Sequence, residues 1–563
     1  MPSLNSSLNI GARSLFNQQS GIATAGHNIA NLNTEGFSRQ EVHAKSELAQ
    51  PDGTGGGVRR GMPQRIFDRF TSRKIVQEES NSAALGAREK FLAKLEIIFN
   101  ESDDAGLRRS LNEFWDSWSL LANEPESDAA REKLKNQSEA LSSRFRSMHM
   151  ELRGIRSEAN SRVAGVVSEI NNIVDQIADL NRQISSYELV DRTANDARDR
   201  RQLLLEKLSQ KVDVSWLEDS RGQMKVSVGS TGWSLVEGRK GRELRASLVG
   251  GETGMYHIQG IGEHEYKVDL SNEFRSGELK EVLDIRDKTI VSYMQQLDDL
   301  AFGLAHKLNK IHASGTGLSS GMERIKSSYG LNQDAQLEPL PFIKDGIFQF
   351  HLLDDDEEFY ATYEIEIQAG KDNIYDIVNR INETVNDPLY FQASIEEDGS
   401  AVFLSGGGKQ FIFGDDQTDF NVVMGFNNFF ETLNGAEDIR VNNRLLEDPK
   451  NISSGKDLVP GDNQIALEIA KLQTRPTMND ETQTFDEFYN GILADVGLRI
   501  QRNQVEKEHQ DTMLAQFKDI RDSVSSVNMD EEVANLVQYQ KAYEASAKFV
   551  STVDGMMETV IQM

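Results

Sequence analysis

Apolar residues recur every seven positions at the start of the chain. One row is Leu8, Leu15, Ile22 and Ile29, and the alternating row is Leu4, Gly11, Gln18, Ala25 and Leu32. This spacing predicts an amphipathic helix with coiled-coil periodicity over the first 33 residues. Gly11, Gly21 and Gly26 dilute the stripe, and each interior glycine costs a helix about 1 kcal/mol. The helix is therefore predicted to need a partner, which its small residues allow to approach closely.

The end of the chain has the same periodicity. One row is Leu536, Tyr543, Val550 and Met557, and the second is Tyr539, Ser546, Val553 and Val560. The pattern predicts a second amphipathic helix over about the last 35 residues. Two interpretations are open at this point. The ends are two ordinary surface helices packed on one core, or they pair with each other and with further copies of the chain.

The pattern changes several times between the two ends. Residues 66–212 are helix-rich, with one long helix from Glu126 to about Glu188, and further helices are predicted at 194–212, 276–312, 463–473 and from about 484 onward. Residues 213–270 alternate between polar and apolar positions or are β-branched, which predicts strands. In residues 340–440, strand-like segments surround one short helix, NIYDIVNRINETV, which is an α+β pattern.

These elements predict a multidomain α plus β protein. Both chain ends contribute coiled-coil helices to a discontinuous helical bundle, into which β-rich and α+β domains are inserted. The predicted domains are terminal helices at 1–35 and 528–563, disordered in the monomer; a helical rod or bundle domain at 36–212, 276–320 and 460–527; a β-rich domain at 213–275 and 435–459; and an acidic α+β outer domain at 321–434.

Charge and composition narrow the classes of partner. The formal net charge is −29, and residues 331–450 alone carry 25 Asp and Glu against 7 Lys and Arg, a net of −18. This argues against binding to nucleic acid or to an anionic membrane surface, and it predicts that the acidic segment is an outward-facing, solvated domain. The chain has no cysteine, which excludes disulfides, Cys-ligated zinc and thiol catalysis. Neither a Sec-type signal nor a transmembrane helix is expected.

Few residues suggest a catalytic or metal-binding site. His257, Glu263 and His264 could be drawn as metal ligands, but the spacing matches no HExxH site, so surface histidines are favoured. The acidic run 354–358 lacks the alternating ligands and the glycine of an EF-hand loop. His306 and His312 are six positions apart on a helix and therefore point to different faces. We expect no catalytic residue, no cofactor and no metal site.

Residues 26–40, GHNIANLNTEGFSRQ, are the most specific motif. Asn28, Asn31 and Asn33 stand at the end of the first predicted helix, and asparagine favours turns because its side chain bonds nearby backbone. In the next four residues, 34–37, the glycine at position 36 is expected to take a positive φ. The motif predicts a helix end followed by a tight turn.

This motif resembles the N-terminal signature of flagellar axial proteins of the rod and hook type. The matching positions are Asn28, Ile29, Ala30, Asn31, Thr34, Gly36 and Phe37. Glu35 departs from it, because many relatives have proline there. Residues 531–545 resemble the closing helix of the same family. The long helices of residues 66–212 are similar to those of its members at the hook–filament junction.

The resemblance implies a secreted, extracellular structural subunit of the flagellum that joins hook to filament and is required for filament assembly. Its partners in the flagellum would be further copies in a helical ring, the hook protein and the next junction protein. The resemblance also implies delivery by type III export, with an export chaperone that covers the C-terminal helix. The predicted assembly interface is Leu8, Leu15, Ile22, Asn28, Ile29, Asn31, Thr34, Gly36, Phe37, Asn535, Leu536, Tyr543, Ala547, Val550 and Met557. The alternatives are another axial protein of hook or distal-rod type, a cytoplasmic coiled-coil scaffold, and a hydrolase carried on the acidic domain.

Overall fold

The computed structural model describes residues 4–48, 55–100, 106–190, 192–229, 231–248, 254–262, 265–319, 321–332, 335–354, 358–456 and 458–562. Helices predominate in these ranges. They are α1 Leu4–Ala30, α2 Arg69–Ile98, α3 Leu107–Asn123, α4 Asp128–Tyr187, α5 Asn195–Lys211, α6 Glu278–Asp284, α7 Ile290–His312, α8 Ile374–Val385, α9 Phe420–Met424, α10 Asn443–Glu447, α11 Gln464–Lys471, α12 Phe485–Ser525 and α13 Met529–Gln562. A π-helical segment, Ile285–Thr289, joins α6 to α7.

Strands are short in the first half of the chain and longer in the acidic segment. They are β1 Gln40–Val42, β2 Lys45–Ser46, β3 Val58–Arg59, β4 Pro63–Arg65, β5 Val214–Glu218, β6 Met224–Val228, β7 Ser234–Glu237, β8 Lys240–Gly241, β9 Leu244–Leu248, β10 Tyr256–Ile261, β11 Lys267–Asp269, β12 Arg324–Gly330, β13 Gly346–Leu353, β14 Phe359–Ile367, β15 Phe391–Ile395, β16 Ser400–Ser405, β17 Gln410–Asp416, β18 Phe430–Glu431 and β19 Arg440–Val441. The predicted class, a multidomain protein of helices and sheets, is confirmed at this level.

The chain divides into two compact units, and the first comprises residues 1–91, 157–287 and 500–563. It contains the antiparallel sheet β5-β6-β7-β8 and the sheet β11-β10-β9. The C-terminal part of α4 packs on β6 and β7. Asn181 of this helix donates through Nδ2 to the backbone oxygen of Met224 at 2.7 Å and accepts from its N–H at 3.1 Å. A buried amide thus fixes the helix on the sheet, because its two bonds to Met224 are shielded from water.

The second unit comprises residues 92–156 and 288–499. Its helical part encloses aromatic rings from α3 and from residues 429–430, with Trp118 and Phe429 5.2 Å apart. Its α+β part has the sheets β14-β13-β17 and β12-β16-β15 with α8. Helix α8 begins at a capping box in which Asn373 and Asp376 bond each other's backbone N–H. Their shared core is rich in phenylalanine, with Phe348, Phe350, Phe391, Phe403, Phe411 and Phe413.

The structure differs from the predicted grouping of residues 213–275 with 435–459. The first range lies in the first unit and the second range in the second unit. In the described part of this second range, residues 435–456 and 458–459, the one strand is the two-residue β19, and the other regular elements are α10 and short 3-10 turns. They are tied to the N-terminal half of α4, where Arg131 donates to Ser454 Oγ at 2.7 Å. The buried side chain of Arg131 thus holds this polar segment against α4.

Candidate assembly interface at the chain ends

Helix α1 packs antiparallel along α13. The residues in contact are Gly11 with Val550, Ser14 with Ser546, Gly21 with Tyr539 and Asn28 with Glu532. The hydroxyl oxygens of Ser14 and Ser546 are 2.8 Å apart. A Cβ atom at Gly21 would lie 2.7 Å from the ring of Tyr539, and one at Gly11 would lie 2.6 Å from Val550. Absence of a side chain at these glycines therefore sets how closely the two helices approach.

The seam includes positions of the predicted rows. On α1 it includes Gly11, and on α13 it includes Tyr539, Ser546 and Val550. Gly21, which belongs to neither row of α1, lies against Tyr539. Leu8, Leu15, Ile22 and Ile29 are half-buried, as are Asn535, Leu536, Ala547, Val550 and Met557, while Tyr543 is 40% exposed. Their role in contacts between copies of the chain stays a prediction.

The turn after α1 is held by its own polar side chains. Asn31 donates through Nδ2 to the backbone oxygen of His27 at 3.0 Å, and Thr34 Oγ1 donates to Asn31 Oδ1 at 3.1 Å. Gly36 has φ +75°, and a Cβ there would lie 3.3 Å from Leu203. Phe37 places its ring edge-on to His27 with centroids 5.4 Å apart. The turn predicted from these residue types is confirmed, and its glycine has the predicted positive φ.

A buried carboxylate links this turn to α13. Glu532, 2% exposed, accepts from Arg39 Nε at 2.8 Å and from Asn28 Nδ2 at 3.1 Å. Asn28 also bonds both backbone groups of Gln40, donating at 2.9 Å and accepting at 3.1 Å. We call Asn28, Arg39 and Glu532 the Glu532 cluster. Since charge-assisted bonds are the stronger kind, this cluster fixes the start of α13 to the end of α1.

A second buried carboxylate links the turn to α5. Asp199 accepts from the backbone N–H of Ser38 at 3.0 Å, from Ser38 Oγ at 2.8 Å and from Arg65 Nη1 at 3.0 Å. Burial raises the pKa of Asp199, although these hydrogen bonds and the Arg65 charge act in the opposite direction. Burial also lowers the pKa of Arg65. The turn is thereby fastened to two other helices of its unit.

The sequence reasoning did not single out Ser14, Gly21 or Glu532 as residues of this interface. Gly11, Ser14 and Gly21 carry no hydrophobic signal, although the glycines were expected to permit close packing. Glu532 stands near the start of a helix, where any acidic residue is favourable because of the helix dipole. Its burial follows only from contact with residues about 500 positions away. No local pattern could have identified it.

Of the three candidate metal ligands, the structure describes His257. His257 Nδ1 lies 3.9 Å from Asp269 Oδ2, while Glu263 and His264 lie outside the described residues, as do residues 355–357 of the acidic run. His306 stacks on Phe302, and His312 is fully buried between hydrogen-bond partners. Within the residues that the structure describes, no three His, Cys, Asp or Glu side chains are grouped to hold a metal ion. In the same part of the chain, no helix combines the length and apolarity needed to cross a membrane.

Two family models match parts of the chain. Residues 92–324 match the model described as the flagellar hook-associated protein FlgK helical domain, and residues 522–563 match the flagellar basal body rod FlgEFG protein C-terminal model. The second match covers the C-terminal end of α12 and all of α13. The first covers helices α3 to α7 and the sheets of residues 214–269.

Curated relatives match from end to end. The chain is 25% identical to flagellar hook-associated protein 1 of Escherichia coli strain K12 over 572 aligned positions, covering 100% of both chains. It is also 25% identical to flagellar hook-associated protein 1 of Bacillus subtilis strain 168, covering 98% of this chain and 96% of that one. Among solved structures, the flagellar hook junction protein FlgK of Burkholderia pseudomallei has a similar fold. It has a TM-score of 0.53 at 16% identity and covers 80% of this chain and 100% of that chain.

Proposed function

We propose that this chain, whose predicted resemblance to flagellar hook-associated protein 1 is confirmed along its full length, is a structural subunit of the bacterial flagellum at the junction between hook and filament. The observation that carries the proposal is the end-to-end match to relatives of that name. The subunit lies outside the cell as part of the flagellum and is required for filament assembly. We propose a structural role without catalysis, in place of the scaffold and hydrolase alternatives.

We propose that copies of the chain meet through the paired terminal helices, which form a discontinuous bundle. On α13, one side packs on α1, while apolar residues on other sides remain open to water. These are Met529, Val533, Val537, Met556, Val560 and Ile561. A helix that exposes this much apolar surface is typical of an interaction surface. The half-buried residues beside the seam, such as Leu15, Ile22 and Leu536, complete the proposed contact with neighbouring copies.

Two further partners follow from the same proposal. On one side of the ring we place the hook protein, and on the other the next hook-associated junction protein.

Helix α13 is the surface that an export chaperone would cover before assembly, because its apolar residues would otherwise be open to water in the unassembled subunit. Residues 1–35 and 528–563 would then gain fixed structure on assembly, since a helix diluted by glycine is marginal alone.

One hydrogen-exchange experiment tests both the ordering of the chain ends on assembly and the binding of an export chaperone to α13. In the isolated monomer, we expect fast amide exchange over residues 4–35 and 528–562. Addition of the cognate export chaperone should slow exchange over residues 536–562 and leave residues 4–35 fast. A truncated chain lacking residues 536–563 is the control and should not bind the chaperone. Slow exchange at both ends of the free monomer, or chaperone binding by the truncated chain, would contradict the proposal.

The function itself is tested by deletion of the gene. Cells without this protein are expected to keep their hooks, lack filaments and release flagellin subunits into the medium, and the wild-type gene should restore filaments. Loss of the hooks themselves would favour the hook or distal-rod alternative. Normal filaments in the deletion strain would contradict a role at the junction.

Replacement of Glu532 by alanine is expected to weaken the pairing of α1 and α13. Arg39 and Asn28 would lose a buried charged acceptor, which corresponds to roughly 1–3 kcal/mol per subunit. The measurement is the temperature at which filaments detach from isolated hooks, which should fall. Glu531→Ala is the matched control, because Glu531 also contacts Arg39, at 3.0 Å, but is exposed. Equal detachment temperatures for the two variants would show that the Glu532 cluster does not hold the helices together.

A further inference from the structure

Strand β14, Phe359–Ile367, forms one edge of the sheet β14-β13-β17 in the acidic α+β part of the second unit. Along one side it pairs antiparallel with β13 over nearly its whole length. Among the strands that the structure describes, none pairs with its other side. Arg380 of α8 already donates to the backbone oxygen of Glu366, so this end of the edge is partly occupied. The rest of the edge, from Phe359 to Ile365, offers a row of backbone donors and acceptors, which makes it a template for another strand.

From Tyr360 onward, the side chains of β14 alternate between an exposed face and a more buried face, whereas Phe359, which lies before a register shift, is also exposed. Ile365 and Ile367 are buried in the phenylalanine-rich core, whereas Glu364 and Glu366 are exposed on the opposite face. Glu364 accepts from Gln349 of the neighbouring strand at 2.8 Å. A strand added to this edge would therefore place side chains of one face beside Glu364 and Glu366, and the residues between them beside the apolar core.

Charge determines which strand could bind there. A second copy of β14 would bring its own glutamates beside Glu364 and Glu366, and like charges opposite each other destabilise a sheet. The surrounding segment, residues 331–450, has a net charge of −18, which adds to the repulsion between copies. Lysine or arginine at alternate positions would instead pair with these two carboxylates. The edge is thus unsuited to self-pairing and suited to a cationic strand.

The N-terminal end of β14 already holds a cation. The ring of Tyr360 is 50% exposed, and the ammonium group of Lys409 lies 4.0 Å from its centroid. Tyr390 stands edge-on to Tyr360 with centroids 5.7 Å apart. Aromatic faces attract ammonium and guanidinium groups through the ring quadrupole. The Lys409 contact shows that this aromatic pair is placed to receive a cationic group at the strand end.

We propose that the open edge of β14 binds an extended segment of a partner protein in which Lys or Arg alternates with apolar residues. The segment would add a fourth strand to the sheet, with main-chain hydrogen bonds providing affinity and the alternating cations providing specificity. Its cationic side chains would lie beside Glu364 and Glu366, and a further cation could compete with Lys409 for Tyr360. The inference does not depend on the role proposed for the chain ends.

The test uses the full-length protein and two labelled peptides of the same composition. One alternates Lys and Val, and the other repeats Lys-Lys-Val-Val, which has the wrong period for a strand with one charged face. By fluorescence anisotropy at low salt, we expect the alternating peptide to bind at least tenfold more tightly. Its binding should slow amide exchange over residues 359–367. Equal affinity of the two peptides, or protection confined to other residues, would overturn the proposal.

Charge variants separate the edge from general attraction to an acidic domain. The double substitution Glu364→Gln with Glu366→Gln should weaken the alternating peptide by about fivefold, because two cross-strand ion pairs are lost. The matched control is Glu338→Gln with Glu383→Gln, which removes the same charge from other exposed positions of the same segment. Circular dichroism checks that both variants remain folded. The same loss of affinity in both double variants would show a nonspecific effect and overturn the proposal.

Discussion

Replacement of Gly21 by valine is expected to abolish filaments in cells that carry only the variant chain. A Cβ atom at Gly21 would lie 2.7 Å from two atoms of the Tyr539 ring, closer than side-chain atoms approach each other in folded proteins. The clash is with a rigid ring in a helix seam, so α1 and α13 must move apart. Overpacking of this kind destabilises by about 1–3 kcal/mol, and here the effect repeats in every subunit of the assembly.

The matched control is Gly26→Val in the same helix. A Cβ atom at Gly26 meets nothing within 4 Å. Valine is a better helix former than glycine at both positions, so local propensity alone would favour each variant equally. We expect normal filaments with Gly26→Val and bald hooks with Gly21→Val, counted by electron microscopy on complemented deletion cells. Normal filaments with Gly21→Val would show that the α1–α13 seam of this structure is not the arrangement present in the flagellum.

The contrast between these two glycines shows how far the sequence could go. Heptad periodicity predicted both terminal helices, because an apolar row every seven residues is typical of an amphipathic helix and of no strand. Helical periodicity also located α4 within two residues at each end, Asp128–Tyr187 against the predicted 126–188. The periodicity could not distinguish Gly21 from Gly26, since neither residue has a side chain whose hydrophobicity could be compared. On the α1 side, the contacts of the seam are made by Gly11, Ser14, Gly21 and Asn28, which a hydrophobicity pattern does not identify.

In the turn after α1, likewise, some contacts could be predicted from the sequence and others could not. Asn31, Thr34 and Gly36 act on their near neighbours, and the propensities of these residue types were enough to predict a turn. Asn28 and Ser38 act on Glu532 and Asp199, far away in the chain. Such contacts depend on the final packing of helices. They leave no local pattern, so the buried clusters could only be found in the structure.

Strand prediction depended on how apolar each segment is. Segments with alternating large apolar residues, such as those of β13 and β17, lie within residues 340–440, where strand-like segments were predicted. Strand β12, RIKSSYG, is mostly polar and was not predicted, because its pairing with β16 rather than its own residues stabilises it. The order of strands in both sheets of the acidic part is also nonlocal, so it could not be derived from the pattern.

The second large effect is expected on stability at low pH and concerns His312 in the helical part of the second unit. Its side chain is fully buried beside Phe429 and Trp118. Nε2 accepts from the backbone N–H of Ser453 at 2.9 Å, so Nδ1 carries the proton and donates to the backbone oxygen of Asn427 at 2.8 Å. Burial lowers the pKa of His312 from 6.5 to about 3. The folded protein therefore holds a neutral imidazole throughout the mildly acidic range.

The sign of the pH effect follows from the difference between the pKa of His312 in the unfolded chain and in the folded chain. The unfolded chain takes up a proton near pH 6.5, and the folded chain does so only near pH 3. The stabilisation is thus fully present above pH 6.5 and is lost as the pH falls from 6.5 towards 3. Between pH 7 and pH 4, His312 should lower the free energy of unfolding by roughly 3 kcal/mol. Asp298, whose pKa burial raises to about 6, has the opposite effect, so the wild-type profile alone is not diagnostic.

A comparison with His312→Asn isolates the histidine, because Asp298 contributes equally to both proteins. Asparagine can keep the bond to the Asn427 carbonyl but does not titrate in this range. At pH 7 the variant should be less stable than wild type, since it loses the bond from Ser453 and leaves a cavity. As the pH falls to 4, the difference should shrink by roughly 3 kcal/mol, because only the wild type loses stability through position 312. Native-state hydrogen exchange of α7, measured from pH 4 to 7 with correction for intrinsic exchange rates, gives both free energies. A gap that stays constant across this range would mean that His312 is not held neutral by its burial.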